Sequence, residues 1–260
     1  TIIVPYAAGG GVDLGSRLLA KYLSEATPVD VVVSNVAGGG GTVGAADCLK
    51  YDADGSYMLA LNPSPTYVST KDKPLTFDIL KDYEFAAIMV QDQRLFVTSA
   101  KNTNFQTVEE AIEYGKANPG KFNIGCSGTG NSAYATAEEF LEKTGIEGNV
   151  VPFDGSSEAK SAVLGGHIDV AVQSLSDVSS SMNEVTILAT GGEERFSKTP
   201  DVPCMTELGF PMAQYVTRGY AFKAGTDSAI INYWSDKIGE VCENEAFLKE
   251  ADSLGLPIVY

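Results

Sequence analysis

The sequence predicts an α/β fold. The order of its segments predicts the class, and its length and composition predict the size. Segments with the composition of strands alternate with segments of helical periodicity along the chain. The chain has 260 residues, 44% hydrophobic and 20% charged, which fits one large domain or two lobes with cores of their own. No run approaches the roughly 18 to 20 consecutive apolar residues of a membrane span. No low-complexity linker or internal repeat appears either.

Three strand–helix units are predicted before residue 65. The first strand, Thr1–Val4, is followed by Gly9–Gly11, which open a helix. The apolar residues of this helix fall on one face, namely Leu14, Leu18, Leu19, Tyr22 and Leu23. The next elements are a strand at Val29–Val33, a short helix capped at Thr42 and ending near Lys50, and a strand at Tyr57–Leu61 that ends at Asn62-Pro63-Ser64.

The alternation continues through the rest of the chain. The spacing of Thr107 and Glu110 forms a capping box, so a helix is predicted from Val108 to about Asn118, before the stop at Pro119-Gly120. The other predicted helices are Ala133–Thr144 closed by Gly145, Glu158–Leu164, Asp227–Cys242 and Glu245–Leu254. The other predicted strands are Phe122–Cys126, Asn149–Phe153, Ile168–Gln173, Val185–Thr190 and Tyr215–Phe222.

The charge of the chain argues against two classes of partner. There are 34 Asp and Glu residues against 18 Lys and Arg residues, which gives a formal net charge of −16. Phosphate contacts need a dense Lys/Arg surface, which this chain lacks. Nucleic acid is therefore not expected as a partner, and anionic lipid headgroups are disfavoured for the same reason.

The cysteines and the single histidine give only weak support for catalysis. Cys48, Cys126, Cys204 and Cys242 contain no C-x-x-C pair, so we expect small buried hydrophobes and neither a zinc cluster nor a dense disulfide framework. An α/β enzyme using Cys126 or a serine stays open as the alternative, since Cys126 precedes a helix N-terminus and His167 could act as its base. G-x-S-x-G is absent, and one histidine makes a His-based metal site hard to build.

Three loops rich in small residues connect a strand directly to a helix, at residues 7–13, 37–44 and 127–132. Backbone N–H groups in such a loop, with the helix N-terminus behind them, can hold an anion without Lys or Arg. The spacing of Gly39, Gly41 and Gly44 fits the dinucleotide fingerprint, but the next strand ends at Leu61-Asn62 without the acidic residue that would hold a ribose. No cofactor and no metal are therefore expected. Each glycine fits a plain tight turn equally well.

Eight segments together resemble the solute-binding proteins of tripartite tricarboxylate transporters, in the order found in that family. The segments are Val4–Asp13, Ala37–Gly44, Asp52–Tyr57, Asn118–Lys121, Ser127–Ser132, Val151–Gly155, Leu164–Asp169 and Pro200–Pro203. They span nearly the whole chain, and their order is more specific than any one of them.

The resemblance implies the two-lobe fold of type II periplasmic binding proteins, with a mixed sheet flanked by helices in each lobe and a ligand cleft between them. The chain would cross between the lobes near Leu95–Ser99 and Val216–Phe222, so that lobe 1 holds residues 1–97 and 219–260 and lobe 2 holds residues 98–218. Such a protein is not an enzyme. It captures a small organic carboxylate and delivers it to the permease subunits of the transporter.

The resemblance also implies where the protein resides and what holds the solute. We expect a monomer that is periplasmic or is anchored to the outer face of a membrane as a lipoprotein, with its signal segment absent because Thr1 begins inside a strand. Lobe 1 would offer Tyr6, Ala8, Gly9, Gly10, Gly11, Gly40, Gly41, Thr42, Asn62 and Ser64. Lobe 2 would offer Ser127, Thr129, Gly130, Asn131, Ser132, Phe153, Asp154, Gln173, Ser174 and Ser176. Ser132 is expected to cap its helix or to bond the carboxylate.

Two residues depart from the family pattern. Asp154 stands where a basic residue is frequent, so it would repel a second negative group and favour a carboxylate that also bears a donor, such as an amino or hydroxy acid. Cys126 stands where a small hydroxyl residue is common. Aromatic residues near the expected cleft would suit an apolar ligand body or, equally, core packing; they are Tyr6, Tyr134, Phe153 and Tyr220.

Overall fold

In the computed structural model, which describes residues 1–62 and 74–260, the chain forms two compact units. Unit 1 consists of Thr1–Gln91 and Thr217–Tyr260, and unit 2 consists of Asp92–Val216. Each unit has its own five-stranded mixed sheet with helices against both faces. The predicted α/β class is confirmed.

The elements follow one another as strands and helices in near-regular alternation. In chain order they are β1 Ile2–Val4, α1 Gly11–Ala26, β2 Val33–Asn35, α2 Thr42–Cys48, β3 Met58–Leu61, β4 Tyr83–Gln93, β5 Leu95–Ser99, α3 Val108–Ala117, β6 Phe122–Ser127, α4 Ser132–Thr144, β7 Gly148–Phe153, α5 Ser156–Leu164, β8 Val170–Gln173, α6 Leu175–Val178, β9 Val185–Thr190, β10 Tyr215–Lys223, α7 Ser228–Cys242 and α8 Glu245–Ser253. Both limits between the units fall within strands, β4 and β10.

The sheet of unit 1 has the order β2-β1-β3-β10-β4. β1 runs parallel to both of its neighbours, and β10 runs antiparallel to β3. Helices α1, α7 and α8 cover one face around Leu19, Phe222 and Phe247, while α2 covers the other face over Leu59. These side chains are fully buried, and burying each stabilises the fold by about 1.5–3 kcal/mol.

The sheet of unit 2 has the order β7-β6-β8-β5-β9. β6 is parallel to β7 and β8, whereas β5 is antiparallel to β8 and β9. The carboxyl ends of β6 and β8 and the start of β5 therefore lie along one edge of the sheet. One face is buried by α3 and α4 around Phe96, Phe122 and Phe140, with the Phe96 and Phe140 ring centroids 4.6 Å apart, and α5 covers the other face.

Most predicted elements are confirmed within a few residues, including the capping box at Thr107 and Glu110 and the stop at Gly145, whose φ is 70°. The strand predicted at Val29–Val33 is wrong, since β2 begins at Val33. Val29 and Val32 are 48% and 55% exposed, and the register with β1 places Ile2 opposite Val33. The run of valines therefore led to the correct prediction of a strand, but the strand lies further along the chain, at Val33–Asn35.

The cysteines confirm one further expectation from the sequence. All four cysteines are free and buried, which confirms the prediction of small buried hydrophobes. Burial raises the pKa of the Cys242 thiol to about 12. Among the helices in residues 1–62 and 74–260, none has the length and apolar character needed to cross a membrane.

Candidate functional site

In unit 1, a loop from Pro5 to Gly10 connects the carboxyl end of β1 to α1 and is held by the buried carboxylate of Asp13. Asp13 Oδ2 accepts from the Gly9 N–H at 2.9 Å and from Arg17 Nε at 3.0 Å, and Oδ1 accepts from Asn35 Nδ2 at 2.9 Å. The same Asn35 Nδ2 donates to the Tyr6 carbonyl at 3.1 Å. The loop backbone is therefore fixed at both of its ends, at Tyr6 and at Gly9.

The charge of Asp13 is set by this network. Burial alone would raise the pKa of the Asp13 carboxyl, but the hydrogen bonds from Arg17, the Gly9 N–H and Asn35 outweigh that effect, and its pKa lies below the ordinary value. Asp13 is consequently ionised at neutral pH. Sequence reasoning placed Asp13 at the end of a motif and missed this role, although the (i, i+4) spacing of Asp13 and Arg17 in the first turn of α1 is a recognisable signal.

A second loop of unit 1 consists of the glycines 38–41 and leads into α2. All four have positive φ angles, 131°, 59°, 64° and 104° in order, a conformation that glycine adopts without strain. The Tyr6 hydroxyl donates to the Gly40 carbonyl at 3.4 Å, which connects this loop to the first one. Tyr6 is buried and packs in the core of unit 1.

The predicted cap at Thr42 is wrong. Gly41 occupies the N-cap position of α2, because Thr42 already has helical φ and ψ angles and its hydroxyl donates back to the Gly39 carbonyl at 3.0 Å. Within the described chain, neither α1, which starts after Gly10, nor α2 has a side-chain cap. Both helices thus begin after glycines, which have no Cβ that would keep a ligand away from the backbone.

The remaining predicted residues of unit 1 lie on the same loops or beside them. Ala8 and Gly9 are exposed, while Gly10 and Gly11 are buried. Asn62 is buried directly after β3, whose parallel pairing with β1 places their carboxyl ends at the same edge of the sheet. Ser64 lies outside the described residues.

In unit 2, the loop from Gly128 to Asn131 connects β6 to α4. Asn131 caps the helix, with its Oδ1 accepting from the Tyr134 N–H at 3.0 Å, and its Nδ2 donates to the Ser127 carbonyl. The Gly128 N–H donates to the Phe153 carbonyl at 2.6 Å. The expectation that Ser132 caps this helix is corrected, because the Asn131 side chain already takes that position.

Arg94 is a buried cation beside this loop, and sequence reasoning missed it. Its side chain is 4% exposed, and Nη2 donates to Ser132 Oγ at 2.7 Å, at the first residue of α4. The Arg94 N–H donates to the Gln214 carbonyl at 3.0 Å, and the Arg94 carbonyl accepts from the Gly191 N–H at 2.7 Å. The loops were expected to hold an anion without Lys or Arg, but unit 2 places the Arg94 guanidinium beside the start of α4.

A second polar group of unit 2 follows β8. The Ser174 N–H and hydroxyl both donate to Asp177 Oδ2, at 2.8 and 2.6 Å, and the Ser174 and Ser176 hydroxyl oxygens lie 3.0 Å apart. Gln173 is fully buried at the end of β8, and its side-chain Nε2 and Oε1 have no hydrogen-bond partner within the described residues. These residues lie at the same edge of the sheet as the start of α4.

The other predicted residues of unit 2 are less enclosed. Thr129 and Asp154 are exposed, while Ser127, Gly130 and Phe153 are partly buried. Phe153 packs against the core under α5 and α6, in accord with the alternative that its ring is a core residue.

The structure argues against a nucleophilic role for Cys126. The side chain is fully buried, and burial raises the pKa of its thiol to about 12. Its Sγ donates to the Gly128 carbonyl at 3.5 Å, behind the loop. His167, its suggested base, is exposed in the turn after α5. A protonated, inaccessible thiol is not a nucleophile, so the Cys126 version of the enzyme alternative is wrong.

One family model and several known proteins match most of this chain. The family model described as tripartite tricarboxylate transporter family receptor matches residues 16–260. A protein encoded in the gbd 5′ region of Cupriavidus necator is 31% identical over 240 residues, covering 90% of this chain and 72% of that protein. Protein BugT of Bordetella pertussis is 30% identical over 258 residues, covering 95% and 77%.

Solved structures with the same fold cover nearly the whole chain. A periplasmic transporter structure is 26% identical with a TM-score of 0.92, covering 99% of this chain and 87% of that one. The R. palustris protein Rpa4515 with adipate is 21% identical with a TM-score of 0.91 and coverages of 99% and 87%. MatC from Rhodopseudomonas palustris with bound malate is 20% identical with a TM-score of 0.89 and coverages of 99% and 88%. These likenesses bear out the periplasmic binding protein fold.

Proposed function

Because the chain belongs to the tripartite tricarboxylate transporter family of receptors, we propose that it captures a small organic carboxylate outside the cytoplasm and delivers it to the permease subunits of such a transporter. The family consists of solute-binding receptors for transport and not of enzymes. We further propose that the protein acts as a monomer, in the periplasm or as a lipoprotein anchored outside the membrane.

The observation that carries the proposal is the pair of braced strand–loop–helix connections, one in each unit. Asp13 and Asn35 hold the loop before α1, and Asn131 holds the loop before α4. Loops at the carboxyl ends of sheet strands are the usual ligand sites of open α/β folds. The N-termini of the helices behind them favour a negatively charged group.

Two observations support a carboxylate as the solute. The helix N-termini favour a negatively charged group, and two solved structures with the same fold contain carboxylates. The structures of Rpa4515 and MatC contain adipate and malate, which are carboxylates. We propose that the loops of both units contact one carboxylate, through the residues named from the sequence, and that the two lobes expected from the sequence correspond to units 1 and 2. The buried amide of Gln173 offers a donor and an acceptor to a polar partner.

A thermal-shift screen tests the proposal. The panel contains succinate, glutarate, adipate, malate, citrate, aspartate and glutamate, with the corresponding neutral amides as controls. A solute at a hundredfold excess over its Kd stabilises the folded state by about 2.7 kcal/mol, so at least one carboxylate should raise the melting temperature while its amide does not. NMR should show the solute unchanged after incubation. If no carboxylate raises the melting temperature, the receptor proposal fails.

Asp154 is expected to weaken the binding of solutes with two negative charges. Replacing it with Asn or Lys should raise the affinity for succinate and adipate relative to the zwitterion aspartate. Asp154 is exposed, so solvent screening limits the gain to about three- to tenfold. Calorimetry of both variants measures this change.

Glu147 supplies the matched control for the Asp154 variants. It is also an exposed acid, but it precedes β7, whereas Asp154 follows that strand. Glu147→Gln should therefore leave all affinities unchanged. If succinate and adipate bind the native protein and both Asp154 variants with equal affinity, Asp154 does not select the charge of the solute.

A further inference from the structure

We infer that Gln214 is a positioning residue of the solute site, because its side chain holds α4, the helix that follows the loop of Gly128 to Asn131. This inference rests on the proposed function and adds to it a residue that lies outside the predicted site loops. Gln214 is partly buried and directly precedes β10, the strand in which the chain passes from unit 2 to unit 1.

Two other segments of unit 2 fix the backbone of Gln214. Its N–H donates to the Gly191 carbonyl at 2.7 Å, and its carbonyl accepts from the Arg94 N–H at 3.0 Å. The Gly191 N–H in turn donates to the Arg94 carbonyl at 2.7 Å. A Cβ at Gly191 would lie 3.1 Å from Gln214 Cβ, which is closer than carbon atoms usually pack. Gln214 therefore has a defined backbone position beside the end of β9.

The side chain of Gln214 connects this backbone to two successive turns of α4. Its Oε1 accepts from Thr136 Oγ1 at 2.9 Å, and its Nε2 donates to Glu139 Oε2. The fully buried Thr136 hydroxyl also lies 2.8 Å from the Ser132 carbonyl oxygen, so it shares its one hydrogen between two acceptors. The bond to the Glu139 carboxylate is charge-assisted and belongs to the stronger class of hydrogen bond.

These two bonds oppose both sliding and rotation of α4. Thr136 and Glu139 are three residues apart and lie on one face of the helix. The helix begins at Ser132, and its cap Asn131 is the last residue of the loop. A shift of the helix at Thr136 therefore displaces the loop as well. Because a binding site needs its groups held to within about 0.5 Å, Gln214 determines whether the loop is correctly placed.

Calorimetry of Gln214→Met tests this role, with succinate, glutarate and adipate as probes. Methionine has a similar length but cannot make either bond, so the tightest probe should bind about tenfold more weakly. Thr136→Val removes one of the two bonds, and a loss of about threefold is expected. Both variants should still fold, because neither introduces a charge or a larger side chain.

Gln106→Met is the matched control. Gln106 is another partly buried glutamine of unit 2, and its Nε2 donates to the Ser99 and Asn102 carbonyls. Ser99 ends β5, whereas the predicted loops lie at the edge where β5 starts. Gln106→Met should therefore lose stability to a similar extent but keep the native affinity.

An exchange of the two partners gives a test by rescue. Gln214→Glu places a second carboxylate beside Glu139, and the repulsion should weaken the tightest probe at least about tenfold. Adding Glu139→Gln restores one amide and one carboxylate in exchanged places. The affinity of this double variant should return to within about threefold of native.

Amide hydrogen exchange tests the position of the helix without any solute. The Tyr134 N–H donates to Asn131 Oδ1 at 3.0 Å, and the Ala135 N–H donates to the Asn131 carbonyl at 2.9 Å. Both amides should exchange about tenfold faster in Gln214→Met and at the native rate in Gln106→Met.

The outcomes separate this inference from the proposed function. Equal affinities of Gln214→Met and Gln106→Met would overturn the inference, and so would weaker binding without faster exchange, because Gln214 would then not act through α4. If the native protein binds no carboxylate, the proposed function fails, and the exchange of Tyr134 and Ala135 alone decides whether Gln214 holds the helix. Should Gln214→Met not fold, the same comparisons apply to Thr136→Val.

Discussion

Replacing Gly44 with alanine is expected to destabilise the protein by about 3 kcal/mol, at the upper end of the cost of overpacking. A Cβ at this position would lie 2.7 Å from Pro5 Cα and 2.6 Å from the Val36 carbonyl oxygen. Both are backbone atoms, so they cannot move aside as a side chain can. The clash should exceed the roughly 1 kcal/mol that alanine gains over glycine in a helix.

The same substitution is expected to weaken solute binding, because Pro5 immediately precedes Tyr6 and the first ligand loop. Urea unfolding followed by circular dichroism measures the stability, and calorimetry with the tightest carboxylate of the panel measures the affinity. Gly15→Ala is the matched control. Gly15 is a buried helical glycine of the same unit, but its added Cβ would meet only side-chain atoms of Met89 and Leu256, at 3.5 Å or more. It should be neutral or slightly stabilising, and a Gly44→Ala variant as stable as Gly15→Ala would contradict the expected clash.

The contact at Gly44 also explains why the sequence imitates a dinucleotide fingerprint. In that fingerprint the last glycine allows close packing of helix and strand, and Gly44 serves the same purpose between α2 and the segment after β1. The preceding glycines, 38–41, supply four consecutive positive φ angles. The spacing of these glycines therefore indicates a tight strand–loop–helix connection. It does not indicate which kind of ligand binds there.

The sequence predicted those parts of the fold whose signals are local. The capping box at Thr107, the stop at Gly145 and the strand Val185–Thr190 depend on neighbouring residues, and the structure confirms them. The strands β4 and β5 and the short helix α6 were not predicted. β4 mixes Glu84, alanines and Asp92 with apolar residues, and it forms a strand because it pairs with β10 at the edge of the unit 1 sheet.

The candidate site was also predicted only where the signal comes from neighbouring residues. The loops could be located from glycines between a strand and a helix, whereas the side chains that hold them come from elsewhere in the sequence. Asn35 reaches the Tyr6 carbonyl from β2, and Arg94 reaches Ser132 across 38 residues. Such contacts depend on strand order, which a single sequence does not reveal.

Asp13 carries the second large expected effect, since Asp13→Ala should reduce the free energy of unfolding at pH 7 by about 3 kcal/mol. Arg17 is half exposed, so its ion pair contributes little. Most of the loss comes from the Gly9 N–H and the Asn35 amide, which would lose a buried acceptor. The loop between Tyr6 and Gly9 would lose the hydrogen bonds that fix its backbone. The affinity for a carboxylate should therefore fall as well.

The pH dependence gives Asp13 a test of its own. Its pKa in the folded protein lies below the ordinary value of 3.8, so its contribution is fully present above that value and is lost as the pH falls through the lower, folded pKa. The native protein should therefore lose more stability than Asp13→Ala between pH 7 and the acid range, as measured by urea unfolding. Asp47→Asn, which removes a surface pair with Lys50, is the control and should cost less than about 1 kcal/mol. Parallel stability curves for Asp13→Ala and the native protein on acidification would show that Asp13 does not hold the loop through its charge.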